Sequence, residues 1–259
     1  MNTGLKNKAT MKNVIEEIEV LYNDGYRQFL FVDDNFTLNS RRIIKICNEI
    51  KKRKLKIDWF CDSRVDNVQY RTLREMVKAG CKILYFGMES ANQRILDYYK
   101  KNITPEQSKI ASKKAKKAGF DILVGSFIVG APDETRKEIR NTLQFAQQTS
   151  IDFPSFNILG APIGSPIWNE LVQKGFINEE KYWEEGVYVS QIVPTAVPFE
   201  EIGEMIYASF LDFFQDKKRL FYEFLRTLIS PFRLRALLHM LPQLQKNLER
   251  IKSGIKFKE

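Results

Sequence analysis

Four stretches place reactive or ligand-holding side chains at the ends of short apolar runs. Gln28 to Asp34 ends in two carboxylates and Asn35; Ile57 to Asp62 is followed by Arg64 and Asp66. Lys82 to Ser90 carries Gly87 and then Glu89 and Ser90, and Ile122 to Asp133 carries Gly130 and then Asp133 and Glu134. Carboxylates and a planar guanidinium suit charge-assisted hydrogen bonds to a charged ligand. A glycine beside them lets a ligand approach the backbone closely. One glycine-and-acid exit from a strand is ordinary; the repetition of the layout is what points to a ligand seated across several strand ends.

These groups need a scaffold that brings all the strand ends to one side. Val14, Ile15, Ile18, Leu21 and Tyr22 recur at helical spacing within Met11 to Tyr22, ahead of Gly25. After the Gln28 strand, Asn39 or Ser40 caps a helix carrying Ile43, Ile44, Cys47 and Ile50 on one face. Asn67 is positioned to cap a helix through Leu73, Met76 and Val77 that closes at Gly80. Thr104-Pro-Glu-Gln107 and Thr135-x-x-Glu138 are capping boxes for two more helices. Ser155 to Leu159 reads as a further strand, and Ile167 to Lys174 as a helix ending at Gly175. Regular β-α alternation with short connections predicts a parallel sheet with helical crossovers. Both a barrel and an open doubly wound sheet fit the alternation. Ligand groups after every strand favour the barrel, where all carboxyl ends face one site.

Beyond Pro166 the alternation stops. The stretch to Pro198 is irregular, with Tyr182, Trp183 and Tyr188, and from Phe199 the chain is helical and aromatic-rich, broken by Pro231 and Pro242. From Lys217 to Glu259 there are eleven Lys and Arg against three Glu, so nearly all of the net charge of +9 lies in the tail. Phe210, Leu211, Phe213, Phe214, Phe221, Tyr222, Phe224 and Leu225 are expected to bury against the barrel or a partner while the basic residues face water. Cys47, Cys61 and Cys81 match no zinc or redox spacing and are expected to be buried, protonated thiols, and the lone His239 is expected at the surface. A reducing cytoplasm is the expected home for these cysteines; the N-terminus lacks the apolar core of a signal peptide, and no apolar run is long enough to span a bilayer.

Val32-Asp-Asp-Asn-Phe36, Gly87-x-Glu89-Ser90, Lys101-x-x-Thr104 and the run from Gly125 through Gly130 to Glu134, in this order, resemble the radical SAM enzymes. The nearest branch is the one whose full-length members often carry an N-terminal cobalamin-binding domain. The resemblance runs from about Met11 to Trp168. It implies a partial (β/α)6 TIM-like barrel lacking its first strand over residues 1–168, with a mainly helical extension over 169–259. It also implies S-adenosylmethionine lying across the strand ends. Of the adjacent Asp33 and Asp34, Asp34 matches the carboxylate near the methionine ammonium. Glu89 and Ser90 match the contacts to ribose hydroxyls or the same ammonium, and Lys101 matches the partner of the methionine carboxylate, with Arg64 as a second. Gly125 to Gly130 would approach adenine through the backbone, with Ile128 against its face.

The family's C-x-x-x-C-x-x-C motif, whose thiolates hold a [4Fe–4S] cluster, is absent from this sequence. Without the cluster no electron reaches the sulfonium. The expectation is therefore a truncated or split radical SAM enzyme, inactive as the isolated chain, with no catalytic residue assigned and no metal ligand of its own. A separate polypeptide would supply the missing strand and cysteine loop, pairing with an apolar edge formed by Phe29, Leu30, Phe31 and Val32. Cobalamin belongs to the full-length relatives, and the substrate is a small or lipid-like molecule. Two other classes stand beside this reading. One is a cluster-less module that binds S-adenosylmethionine or another nucleotide. The other is a membrane-peripheral or nucleic-acid-binding protein working through its basic tail; under the main reading the tail is a helical cover with weak lipid attraction at most, and nucleic acid is not expected as a partner.

Overall fold

The computed structural model describes residues 11–180, 189–190 and 193–240. The stretch up to Thr10, the segment holding Tyr182, Trp183 and Tyr188, and the break at Pro242 lie outside the described residues. The chain divides into two compact units, Met1–Phe213 and Phe214–Glu259.

The first unit is built on five parallel strands in the order β1-β2-β3-β4-β5. They are β1 Gln28–Phe31, β2 Asp58–Arg64, β3 Cys81–Glu89, β4 Ile122–Val129 and β5 Phe153–Ile158. The helices that link them are α1 Met11–Asn23, α2 Ser40–Lys52, α3 Tyr70–Lys78, α4 Gln93–Tyr98, α5 Pro105–Ala118 and α6 Arg136–Phe145. Helices α1, α2, α3 and α5 pack side by side in chain order, which is the consequence of crossovers of one hand. This is the parallel α/β architecture that the alternation predicts. Among the described residues β1 and β5 each have a single neighbour.

Local chemistry explains where the elements begin and end. Asn39 Oδ1 accepts from Arg42 N at 3.0 Å, and both capping boxes form, at Thr104/Gln107 and Thr135/Glu138. Gly80 has φ +95° and packs so closely that a Cβ would lie 2.1 Å from the Ile57 carbonyl oxygen. Ile43, Ile46, Cys47 and Ile50 of α2 are buried, as are Trp59 and Cys61 of β2, and the Trp59 indole donates to the Ala79 carbonyl at 2.8 Å.

Several boundaries differ from the sequence reading. β1 stops at Phe31, short of Asp34, because the chain turns into a 3-10 helix, Phe36–Leu38. There Phe36 packs on Phe31 and Trp59, and Thr37 hydrogen-bonds Ser63 at 2.6 Å, which ends the ladder with β2. β2 in turn runs on to Arg64, which pairs in register with Gly87. Asn67 caps nothing: it ends a 3-10 turn, and α3 starts three residues later without a side-chain cap. The short α4 has too little periodicity to be read from sequence; a short antiparallel pair, β6 Ala161–Pro162 with β7 Val189–Ser190, is likewise new.

After α7, Pro166–Gln173, come α8, Phe199–Gln215, and α9, Lys217–Ile229. The break between α8 and α9 is at Asp216, which caps α9 by accepting from Lys218 N and Arg219 N, while Pro231 opens a further helical stretch over residues 231–240. Along α9 no residue is buried, and Phe210 and Leu211 are exposed. Phe213 does bury. His239 is exposed, as expected. Among the described residues no helix is long and apolar enough to cross a membrane.

Candidate functional site

A cavity of 510 Å³ opens at the carboxyl ends of the first four strands. Ser63 and Phe86 also border it, but alternation along the strands turns the charged groups into it. In β2, Trp59, Cys61 and Ser63 are buried on one side of the strand, which turns Asp62 and Arg64 to the other. Tyr85, Gly87 and Glu89 of β3 and Ser126 of β4 complete the wall, and Asp34 and Lys101 come in from loops.

Glu89 is the centre of this wall. The register between β3 and β4 shifts between Gly87 and Glu89, and Glu89 sits at φ +62°, a left-handed conformation that a non-glycine residue adopts at a cost of about 1–2 kcal/mol. Its side chain folds back over Gly87, where a Cβ would meet Glu89 Oε1 at 2.7 Å. A side chain at position 87 would have to displace this carboxylate end. Lys101 Nζ reaches Glu89 Oε1 at 2.9 Å, with Glu89 only 8% exposed. The two residues flanking Lys101, Lys100 and Asn102, are also left-handed, at φ 53° and 51°. Strain of this kind at a cavity wall persists only where surrounding contacts enforce it. Arg64 supplies one such contact: its Nη2 donates to the Lys101 carbonyl at 2.6 Å while its fork grips Asp66 at 3.1 and 2.8 Å.

Asp34 and Asp62, at the exits of the neighbouring strands β1 and β2, interact electrostatically. The Asp62 carboxyl is held above its ordinary range, first by burial and then by the charge of Asp34. The site thus offers anionic groups on β1 and β2 exits and a mixed Glu89–Lys101 pair on β3, an arrangement suited to a zwitterionic head group.

Of the residues singled out from sequence, Asp34, Arg64, Glu89 and Lys101 line the cavity together. Asp33 points elsewhere, to Arg42 at 3.5 Å. Ser90 is fully buried and hydrogen-bonds Thr142 at 3.0 Å, tying β3 to α6. Gly125 and Gly130 do not line the cavity. A Cβ on Gly125 would come within 3.0 Å of Ile151 and Met88, and Gly130, at φ +85°, is packed against Ile158, Ile202 and Thr195. Ile128 is half-buried on the same strand. Asp62, Tyr85 and Ser126 were not singled out; the signal available was a polar residue in alternate positions of an otherwise apolar strand.

All three cysteines are buried in the helix–sheet layer, away from the cavity. Burial pushes the Cys47 thiol up to about 12 and raises Cys81 well above its ordinary value, so neither is a thiolate at neutral pH. Among the described residues no group of His, Cys, Asp and Glu could hold a metal ion.

The family model described as Radical SAM superfamily matches residues 2–146. A Pyrococcus horikoshii protein described as an uncharacterized methyltransferase is 41% identical over 67% of this chain and 38% of its own length. The anaerobic magnesium-protoporphyrin IX monomethyl ester cyclase of Rubrivivax gelatinosus is 30% identical over 82% of this chain and 38% of its own. The chain therefore spans under two fifths of the length of either curated relative. Among solved structures, the radical S-adenosylmethionine methyltransferase TsrM of Kitasatospora setae, with cobalamin and a [4Fe–4S] cluster bound, superposes with TM-score 0.58 at 17% identity. That match covers 63% of this chain and 34% of TsrM. Coproporphyrinogen III oxidase of Escherichia coli superposes with TM-score 0.54 at 16% identity, over 82% and 46% of the two chains. These likenesses extend the fold assignment to the TIM-like sheet of such enzymes.

Proposed function

This chain belongs to the radical SAM superfamily, and we propose that its cavity is the S-adenosylmethionine seat of a radical SAM enzyme whose reaction class is methyl transfer to a small or lipid-like substrate. The observation that carries this reading is the Lys101–Glu89 pair at 2.9 Å, an anion and a cation side by side in a cavity that also holds Asp34. A methionine head group presents the complementary ammonium and carboxylate. Glu89 and Asp34 would accept from the ammonium, and Lys101 would hold the carboxylate. Arg64, engaged with Asp66 and the Lys101 carbonyl, acts one step back by fixing the loop that carries Lys101. Asp33 and Ser90 would support this seat through their neighbours Asp34 and Glu89. Gly125, Ile128 and Gly130 would set the β4 backbone on the adenosine side. We assign this work to residues 1–168 and treat 169–259 as the extension.

In the family a [4Fe–4S] cluster supplies the electron that cleaves the sulfonium. The cysteines here do not fit that group, being buried and absent from the cavity lining, so no step is derived through it. We propose that its ligands come from a separate polypeptide segment that adds a strand at the β1 edge. Leu30 is 61% and Val32 82% exposed there, an apolar edge suited to strand addition. Use of cobalamin by the whole protein is part of the same proposal and is supported by the fold likeness to TsrM. A cytoplasmic location is supported by the three free thiols. The cysteine placement also favours a second reading, in which the chain binds S-adenosylmethionine without radical chemistry.

Titration calorimetry of iron-free protein with S-adenosylmethionine tests the seat. We expect stoichiometric binding that weakens about tenfold in Glu89→Gln, the loss of one charge-assisted contact, while the variant still melts cooperatively. Absence of binding at millimolar ligand would remove the proposal. Formation of 5′-deoxyadenosine after adding a strand-and-cysteine-loop polypeptide, iron, sulfide and a reductant separates the enzyme from the cluster-free module.

A further inference from the structure

The second compact unit is built with its polar side inward. Glu223 accepts from Arg226 Nη1 at 2.9 Å and from Arg233 Nη2 at 2.7 Å. Arg233, only 9% exposed, also donates through Nε to Thr227 Oγ1 at 3.2 Å. This seam ties the polar side of α9 to residues 231–240. The opposite side of α9 carries Leu220, Phe221, Phe224, Leu225 and Leu228, spaced to share one helical face, and all are exposed. Phe221 is 64% and the neighbouring Ile229 81% exposed. Leu234, Leu237 and Leu238 repeat the pattern over 231–240. Scattered apolar residues on a surface are ordinary; a whole helical face of them marks an interaction site.

Charge selects the occupant. From Lys217 to the end of the chain there are eleven Lys and Arg against three Glu, and Lys217 and Lys218 are exposed at the start of the same helix. We propose that this face docks on an anionic lipid surface, with the aromatic and aliphatic side chains entering the headgroup–acyl boundary and the lysines meeting lipid phosphates. The helices lie on the bilayer, since no described helix is long and apolar enough to cross it. A second copy of the chain would bring an equally basic surface to the same face and be repelled. A nucleic acid would use the cations and leave the leucines and Ile229 in water, because only aromatic faces stack on bases. The inference is independent of the proposed S-adenosylmethionine seat.

Co-sedimentation of the full chain with vesicles tests it, comparing phosphatidylcholine alone with an equimolar mixture of phosphatidylcholine and phosphatidylglycerol. We expect partition into the mixed vesicles that exceeds partition into the neutral ones about tenfold and falls as salt is raised. Phe221→Ser with Phe224→Ser, and separately Lys217→Glu with Lys218→Glu, should each reduce binding about tenfold. The thermal melt should be unchanged in both, since these side chains are exposed. Three results would overturn the proposal. One is wild-type protein that pellets with neither vesicle. Another is a solution dimer dissociated by the phenylalanine variant without vesicle binding. The third is RNA binding lost with the lysines and indifferent to the phenylalanines.

Discussion

Glu134 holds the turn after β4 with one atom. Its Oε2 accepts from the backbone N–H of Gly130 at 2.7 Å and of Ala131 at 3.1 Å, and the residue is 1% exposed. Glu134→Ala would leave two buried donors without an acceptor. Each orphaned donor costs about 1–3 kcal/mol, and water entering the truncated site would recover part of that, so a loss of about 2–4 kcal/mol is expected. Against a stability of roughly 5–15 kcal/mol for a domain, such a loss is easily measured. Glu134→Gln keeps one acceptor but places an amide N–H₂ at the buried position of Oε1, which has no hydrogen-bond partner, and should cost about 1–2 kcal/mol. Urea unfolding of the full chain, read as midpoint shifts at constant slope, gives both numbers. The carboxyl is held above its ordinary value of 4.5 because burial outweighs the two N–H donors. The folded state therefore binds this proton more tightly than the unfolded state. The associated stability is present below the ordinary carboxylate range and is lost as pH rises through the raised value. Glu134→Gln should abolish that slope. An alanine variant within about 0.5 kcal/mol of the parent would refute the reasoning, as would a glutamine variant with the parental pH slope.

Two further outcomes follow from packing. Gly80→Ala forces a left-handed alanine and a Cβ 2.1 Å from the Ile57 carbonyl, so it should cost about 2–4 kcal/mol in the same urea assay; a neutral substitution would contradict the close approach of α3 to β2. The thiols of Cys47, Cys61 and Cys81 should resist an aromatic disulfide reagent in native protein and all react after denaturation; a fast-reacting native thiol would contradict their burial.

The parts of the fold legible in the sequence are those set by contacts within a few residues. Asn39, Thr104 and Thr135 announce helix starts because a cap bond spans only two or three residues, and each forms as read. The apolar runs at Lys82 and Ile122 announce strands because most of their residues are buried within a parallel sheet, while the run at Gln28 forms an exposed edge of that sheet. Asn67 failed as a cap because tertiary packing of the Val65–Asn67 turn decided where α3 begins. The inward side of the aromatic tail was illegible for the opposite reason. Composition shows how much apolar surface a helix carries, and only the fold shows which side the Glu223–Arg233 seam turns inward.

By itself the sequence determined the alternation, the order of the elements and the acids and glycines at the strand exits, because backbone periodicity and capping are local. It also determined the family, through motifs whose order survives without coordinates. Only the tertiary structure decided which of those residues meet. Glu89 and Lys101, twelve residues apart, join through a register shift and three left-handed residues that no pattern announces. Asp62 enters the cavity by alternation along β2, while Asp33, in the turn beyond β1, is drawn to Arg42 instead. Gly125 and Gly130 turned out to answer to the side chains packed on them, a constraint that exists only once distant elements are brought into contact.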